Sequence, residues 1–300
     1  MLSRIIALLR RDAWLYLQLA VLPVGALIVM EGALFWILYK MGMFPLRPGP
    51  ATSQQATAFI TGILLILPVV LAAYSLFEGA SCFAALATMQ GEPVSFGIAF
   101  RRTLRRAWRL IWMMLLRIVA VMLPYLAAIL VLGGAAAVMS LKHGFSTAIT
   151  FVAWPLIVVL YFGGLAWALW IWLRLALATP ACIAEDVTGW SALKRSDQLS
   201  RGGKWRILGV FFLVGLIAFA AVFALEMVFL ASLALSTLAS TTLHLHAHYA
   251  IWTVGSSVLG AVLIYVILSL QWASFAVTMT VLYQDQRFRH EGSLVLPLGS

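Results

Sequence analysis

Long apolar runs alternate along the chain with short clusters rich in arginine and lysine, and the runs lack the strict polar alternation of a half-buried strand. Six runs exceed the roughly 20 residues that a helix needs to cross about 30 Å of hydrocarbon. They predict transmembrane helices near Trp14 to Lys40, Ala58 to Cys82, Leu110 to Ser140, Thr147 to Ala178, Ile207 to Ser240 and Ile251 to Tyr283. Several are longer than a straight crossing requires, so tilt, kinks or extension beyond the bilayer are expected. Pro68, Pro124 and Pro155 are the expected kink points, and Pro180 the expected end of a helix. A transmembrane β-barrel would instead show alternating segments of about ten residues. The expected fold is therefore all-α: a polytopic helical bundle forming one membrane domain over residues 1–300, with a basic segment at 1–13 and a tail at 284–300.

Composition strengthens this reading. The chain is 64% hydrophobic and 10% charged, whereas a soluble domain sits near half apolar and about a quarter charged. The first run is too long for a signal-peptide core and has no small-residue cleavage site, so it is read as a retained span. The segment from Leu2 to Arg11 sets Ile5, Ile6, Leu8 and Leu9 among Arg4, Arg10 and Arg11. It reads either as a short basic helix lying in the interface or as a continuation of the first span.

The basic clusters fall on one side. Arg4, Arg10 and Arg11 precede the first span; Arg101, Arg102, Arg105, Arg106 and Arg109 lie between the second and third; Lys194, Arg195, Arg201, Lys204 and Arg206 lie between the fourth and fifth; Arg287 and Arg289 follow the sixth. The other side holds Lys40, Arg47 and Lys142. This asymmetry predicts that both termini are cytoplasmic, and Trp14, Trp108, Trp190, Trp205 and Trp252 fall near the expected interfaces. The net charge of +10 thus points to membrane lipids with anionic headgroups, or to a cytoplasmic or membrane protein partner, and not to nucleic acid. Cys82 and Cys182 are expected to stay reduced near the cytoplasmic ends of their spans.

The two large basic loops resemble each other. Glu92 to Thr103 and Glu185 to Ser196 share E-x-V-S/T-x-x-x-A-F/L-K/R-R-S/T, and each copy leads into a Trp-Arg pair, Trp108-Arg109 and Trp205-Arg206. Spans two and three thus read as a duplicate of spans four and five. Both loops face the same side, which makes the repeat parallel, unlike the inverted repeats of many transporters. Ser95 and Thr188 are positioned to cap a short helix, with Ala99-Phe100 and Ala192-Leu193 dipping toward headgroups while the basic pairs meet phosphate. Each loop reads either as a headgroup-docking or partner-docking elbow or as a connector whose charges only hold orientation.

Pro180-Ala-Cys-Ile-Ala-Glu185, Ala192-Leu-Lys-Arg-Ser196, Leu199-Ser-Arg-Gly202 and Lys204-Trp-Arg206 carry a family resemblance. The segment from Leu282 to Gly292 is similar to a Tyr-x-Asp-x-Arg-x-Arg-x-Glu-Gly closing motif of the same group. Together they resemble bacterial multi-span proteins of the glycerophosphoryl diester phosphodiesterase membrane-domain type. The resemblance implies a bacterial inner-membrane location and a six-helix fold. In catalytic members the chemistry belongs to a separate soluble barrel, for which these 300 residues leave no room, so it carries over no activity.

Ionisable residues within the spans are few: Glu31, Glu78, Arg117, Arg174 and Glu226. Such charges are costly at membrane depth and are expected to pair or to face the bundle interior. Glu78, Arg117 and Arg174 fall in the cytoplasmic third and form the expected intramembrane cluster, either an ion pair locking helices or a substrate pathway. Glu31 and Glu226 lie toward the outer side. His244, His246 and His248 alternate in an outer loop; in an extended segment they would share one face and could hold a divalent metal, the one cofactor the sequence suggests. Neither a G-x-S-x-G elbow nor a phosphate loop nor an H-E-x-x-H helix is present. Gly202-Gly203 beside Lys204 reads as a helix break before span five. The function expected is a non-catalytic lipid-binding or partner-binding scaffold. The rivals are a small transporter or channel using the charge cluster, and a metal-dependent lipid-modifying enzyme.

Overall fold

The computed structural model describes residues 2–40, 53–142, 147–243 and 246–292. Among the described residues there are ten helices and no strand: α1 (Leu2–Arg11), α2 (Ala13–Lys40), α3 (Ser53–Gln90), α4 (Phe96–Leu104), α5 (Ala107–Lys142), α6 (Thr147–Leu175), α7 (Ala178–Ala184), α8 (Gly189–Ser200), α9 (Lys204–Leu243) and α10 (His246–Glu291). Six stretches are long and apolar enough to cross a membrane, in α2, α3, α5, α6 continuing into α7, α9 and α10. The chain is a multi-pass, all-α membrane bundle.

Several helices far exceed the membrane. At about 1.5 Å per residue, the 38 residues of α3 and the 40 of α9 reach about twice the thickness of the hydrocarbon layer, and the 46 of α10 more than twice. At the basic end Gln284 to Glu291, expected as the start of a tail, instead form the last two turns of α10. Here α3, α7 and α10 pack on one another and carry the short helices α1, α4 and α8. The buried core concentrates here too: Ala80, Ala84, Ala85 and Ala87 of α3, the whole of α7, and Ala273, Ala276 and Val277 of α10 are all inaccessible. Small side chains let membrane helices approach closely, which replaces the hydrophobic drive that lipid cannot supply. Farther from this end, Val29, Val69, Leu130, Val159 and Val228 are exposed, as a lipid-facing surface requires.

Two local breaks shape the basic end. Pro180 does not end a helix; it sits in the first turn of α7, where a missing N–H costs no helical bond. The break just before it, at Ala176 and Leu177, is mended by Ser196 of α8, whose Oγ accepts from the Leu177 N–H at 3.1 Å and donates to the Arg174 carbonyl at 2.7 Å. Pro68, Pro124 and Pro155 lie within continuous helices. At the other end of the elbow, Gly202 takes a left-handed conformation (φ 80°) that turns the chain from α8 into α9. A Cβ on Gly203 would overlap the buried Gln286 amide, so the turn lies directly on α10.

Candidate functional site

Each basic loop forms a short helix behind an extended residue at the expected capping position, Ser95 before α4 and Thr188 before α8. Neither side chain makes the expected capping bond; Thr188 instead shares a 3.0 Å hydrogen bond with Ser191. Three of the four residues expected to dip toward the headgroups face the other way, and the fourth, Phe100, is half-buried and stacked on Phe96. Ala99, Ala192 and Leu193 are buried against the protein, because small residues let α4 and α8 sit close on the long helices. The outward apolar side chains are Phe96, Ile98 and Leu104 on α4 and Trp190 on α8. Trp14, Trp108 and Trp205 are exposed at the same end, while the Trp252 side chain lies outside the described residues.

The basic residues separate into two sets. One set is internal. Arg106 and Arg109 both reach Asp186, at 3.2 and 2.9 Å, and Arg106 also donates to the Ile183 carbonyl. Asp186 holds a left-handed backbone (φ 52°), which a short carboxylate side chain tolerates better than a branched one. Arg195 pairs with Glu185 at 2.9 Å and with Glu291, while Arg206 pairs with Asp285 at 3.1 Å. Tyr283 donates to Glu185 at 2.7 Å, Arg287 pairs with Glu291 and Arg289 with Asp285. Every polar position of the closing motif is therefore engaged: Tyr283, Asp285 and Glu291 reach the second elbow and the start of α9, while Arg287 and Arg289 pair within α10. The sequence reading missed these acidic partners, although the even spacing of Tyr283, Arg287 and Glu291 already placed them on one helical face.

The second set looks outward. Arg4, Arg10, Arg11, Arg101, Arg105 and Lys194 are exposed and have no acidic partner among the described residues. Lys194 lies 5.8 Å from the Trp190 ring and Arg102 lies 5.3 Å from the Phe83 ring. Lys204 rests over Trp170 at 3.7 Å, and among the described residues Arg201 pairs only with the shared carboxylate of Asp197 at 3.2 Å. The basic end thus presents exposed cations interleaved with exposed aromatic side chains.

The expected intramembrane cluster is divided. Glu78 and Arg117 meet at 3.2 Å, both buried, and the same Glu78 oxygen accepts a hydrogen bond from Thr179 at 2.7 Å. One carboxylate therefore ties α3, α5 and α7, with the Arg117 guanidinium 6.0 Å from the Trp172 ring. Arg174 does not join them. It makes two bonds to Asp197, at 2.6 and 2.9 Å, because α8 folds back against the end of α6. These bonds hold the Asp197 carboxyl below the usual carboxylate range.

His244 lies outside the described residues. His246 and His248 begin α10, in a helical register instead of the extended one on which alternate positions share a face. Among the described residues no group of three metal-binding side chains forms. Glu226 is exposed on α9, and the Glu31 side chain lies outside the described residues. Both cysteines are free and buried.

Comparison with protein families, with curated proteins and with solved structures finds no match to this chain. The geometry offers a rigid, ion-paired frame at the basic end whose outer surface is left cationic and aromatic.

Proposed function

We propose that this protein is a non-catalytic scaffold of the bacterial inner membrane whose two basic elbows bind anionic phospholipid headgroups on the cytoplasmic side. The observation that carries this reading is the division of the basic residues. Internal ion pairs account for Arg106, Arg109, Arg195 and Arg206, whereas Arg4, Arg10, Arg11, Arg101, Arg105 and Lys194 remain exposed beside Trp14, Trp108 and Trp190. Charges needed only to orient the chain would require no such frame. Exposed cations beside interfacial tryptophans match a phosphate layer above hydrocarbon.

The elbow repeat, the cytoplasmic termini and the motif resemblance belong to the same proposal. Transport through the charge cluster is less well supported, because Arg174 stands apart and Glu78 is satisfied by Arg117 and Thr179. A metal-dependent enzyme draws no support from His246 and His248 in helical register. Native mass spectrometry of gently extracted protein tests the proposal. Retained anionic phospholipid, reduced when the six exposed cations become glutamine, is the expected result; wild-type protein carrying no such lipid would refute it.

A further inference from the structure

We infer that the groove between α6 and α9 at the basic end is a specific site for one anionic diacylphospholipid, with its phosphate at Arg201 and Lys204 and an acyl chain along α6. This deepens the headgroup reading above and rests on it. The cleft measures about 440 Å³ and is lined by Ala166, Leu169, Trp170, Leu173 and Leu208 below, and by Arg201, Gly202, Lys204 and Trp205 at its mouth. Its walls are apolar while its mouth is cationic, the order in which a phospholipid presents chain and phosphate. The size falls within the range of small-molecule sites, roughly 300–1,000 Å³.

The charge at the mouth is in excess. Asp197 is already held by two short bonds from Arg174, so the more distant, 70% exposed Arg201 contributes a cation without a carboxylate of its own. Lys204 has no acidic partner among the described residues, and its ammonium sits on the Trp170 ring at the edge of the apolar wall. Gly202 places no side chain at the mouth, so a phosphate can approach the N-terminal turn of α9, whose first N–H groups have no partner within the helix. Trp205, 85% exposed beside the opening, is placed to lie at the headgroup level. A zwitterionic lipid would complement this pair of charges less well.

The test uses full-length protein in nanodiscs containing a photoactivatable phosphatidylglycerol, with crosslinks mapped by peptide mass spectrometry. Wild-type protein should crosslink at 166–173 and 204–208. At about fivefold per basic residue, the double variant Arg201→Gln, Lys204→Gln should weaken this binding roughly 25-fold. Arg101→Gln, Arg105→Gln should leave the same crosslinks unchanged. If anionic lipid is retained but crosslinks lie elsewhere, the groove assignment fails and the general headgroup reading stands. If phosphatidylglycerol has no advantage over phosphatidylcholine anywhere, both fail. Competition by glycerol phosphate as effective as by the lipid would overturn the acyl-chain half of the assignment. The wild-type map decides the location even if the double variant does not fold.

Discussion

Replacing Glu78 isolates the buried pair from everything at the surface. At 3.2 Å from Arg117, with both side chains almost inaccessible, the carboxylate gains about 5 kcal/mol of attraction at an effective dielectric of roughly 20. Much of that offsets the loss of water around two ions, so the pair as a whole is close to neutral relative to well-packed apolar residues. Breaking it from one side is different, because the remaining charge stays buried: Glu78→Gln and Arg117→Met should each cost about 3–5 kcal/mol. Glutamine still offers an oxygen to Thr179, whereas Glu78→Ala also loses that bond, adding about 1–3 kcal/mol for the unmade hydrogen bond. The double variant Glu78→Gln, Arg117→Met removes both charges and should recover to within about 2 kcal/mol of wild type, a coupling larger than a surface ion pair would show. Thermal unfolding of detergent-solubilised protein reads this out, at roughly 2–4 °C per kcal/mol. Single variants as stable as wild type, or a double variant that loses the sum of the two, would refute a pair that locks α3, α5 and α7.

Close packing makes an opposite prediction for two glycines. A Cβ on Gly79 would lie 2.7 Å from Leu110 Cδ1 and 2.9 Å from Thr103 Cγ2, so Gly79→Ala should lose about 1–3 kcal/mol to overpacking, more than its gain in helix propensity of up to about 1 kcal/mol. Gly209 has open space around it, and Gly209→Ala should raise the unfolding temperature or leave it unchanged; equal effects at both positions would contradict the packing described. The Asp197 carboxyl, lowered by Arg174, contributes stability that is fully present above its unfolded value near pH 4 and is lost as pH falls through its lower folded value. The difference in unfolding temperature between wild type and Asp197→Asn should therefore be constant from neutral pH to about pH 5 and shrink only below about pH 4; a difference that shrinks above pH 6 would contradict it.

The membrane architecture was legible because lipid permits few structures: each apolar run had to become a helix that satisfies its own backbone. The last turns of α10 were not, since Asp285, Arg287, Arg289 and Glu291 read as a polar tail until their partners are seen. Glu78 and Arg117 could be paired from depth alone, but Arg174 could not be assigned, because its partner Asp197 comes 23 residues later on a helix that turns back. Likewise the elbows were located by their charge, while hydropathy could not distinguish cations that bind the protein's own acids from cations left for a ligand. That difference depends on where α8 and the last turns of α10 meet. The histidine expectation rested on an extended loop, and α10 begins within it.

Lipid selectivity at the basic end is the most direct test of the function proposed here. With spin-labelled phosphatidylglycerol and phosphatidylcholine in vesicles containing the purified protein, the motionally restricted fraction gives the relative association of each lipid with its surface. A preference for phosphatidylglycerol that declines with added salt, and that falls toward unity when Arg4, Arg10, Arg11, Arg101, Arg105 and Lys194 become glutamine in a protein that still folds, is the predicted result. Equal association of the two lipids with wild-type protein at low salt would contradict it.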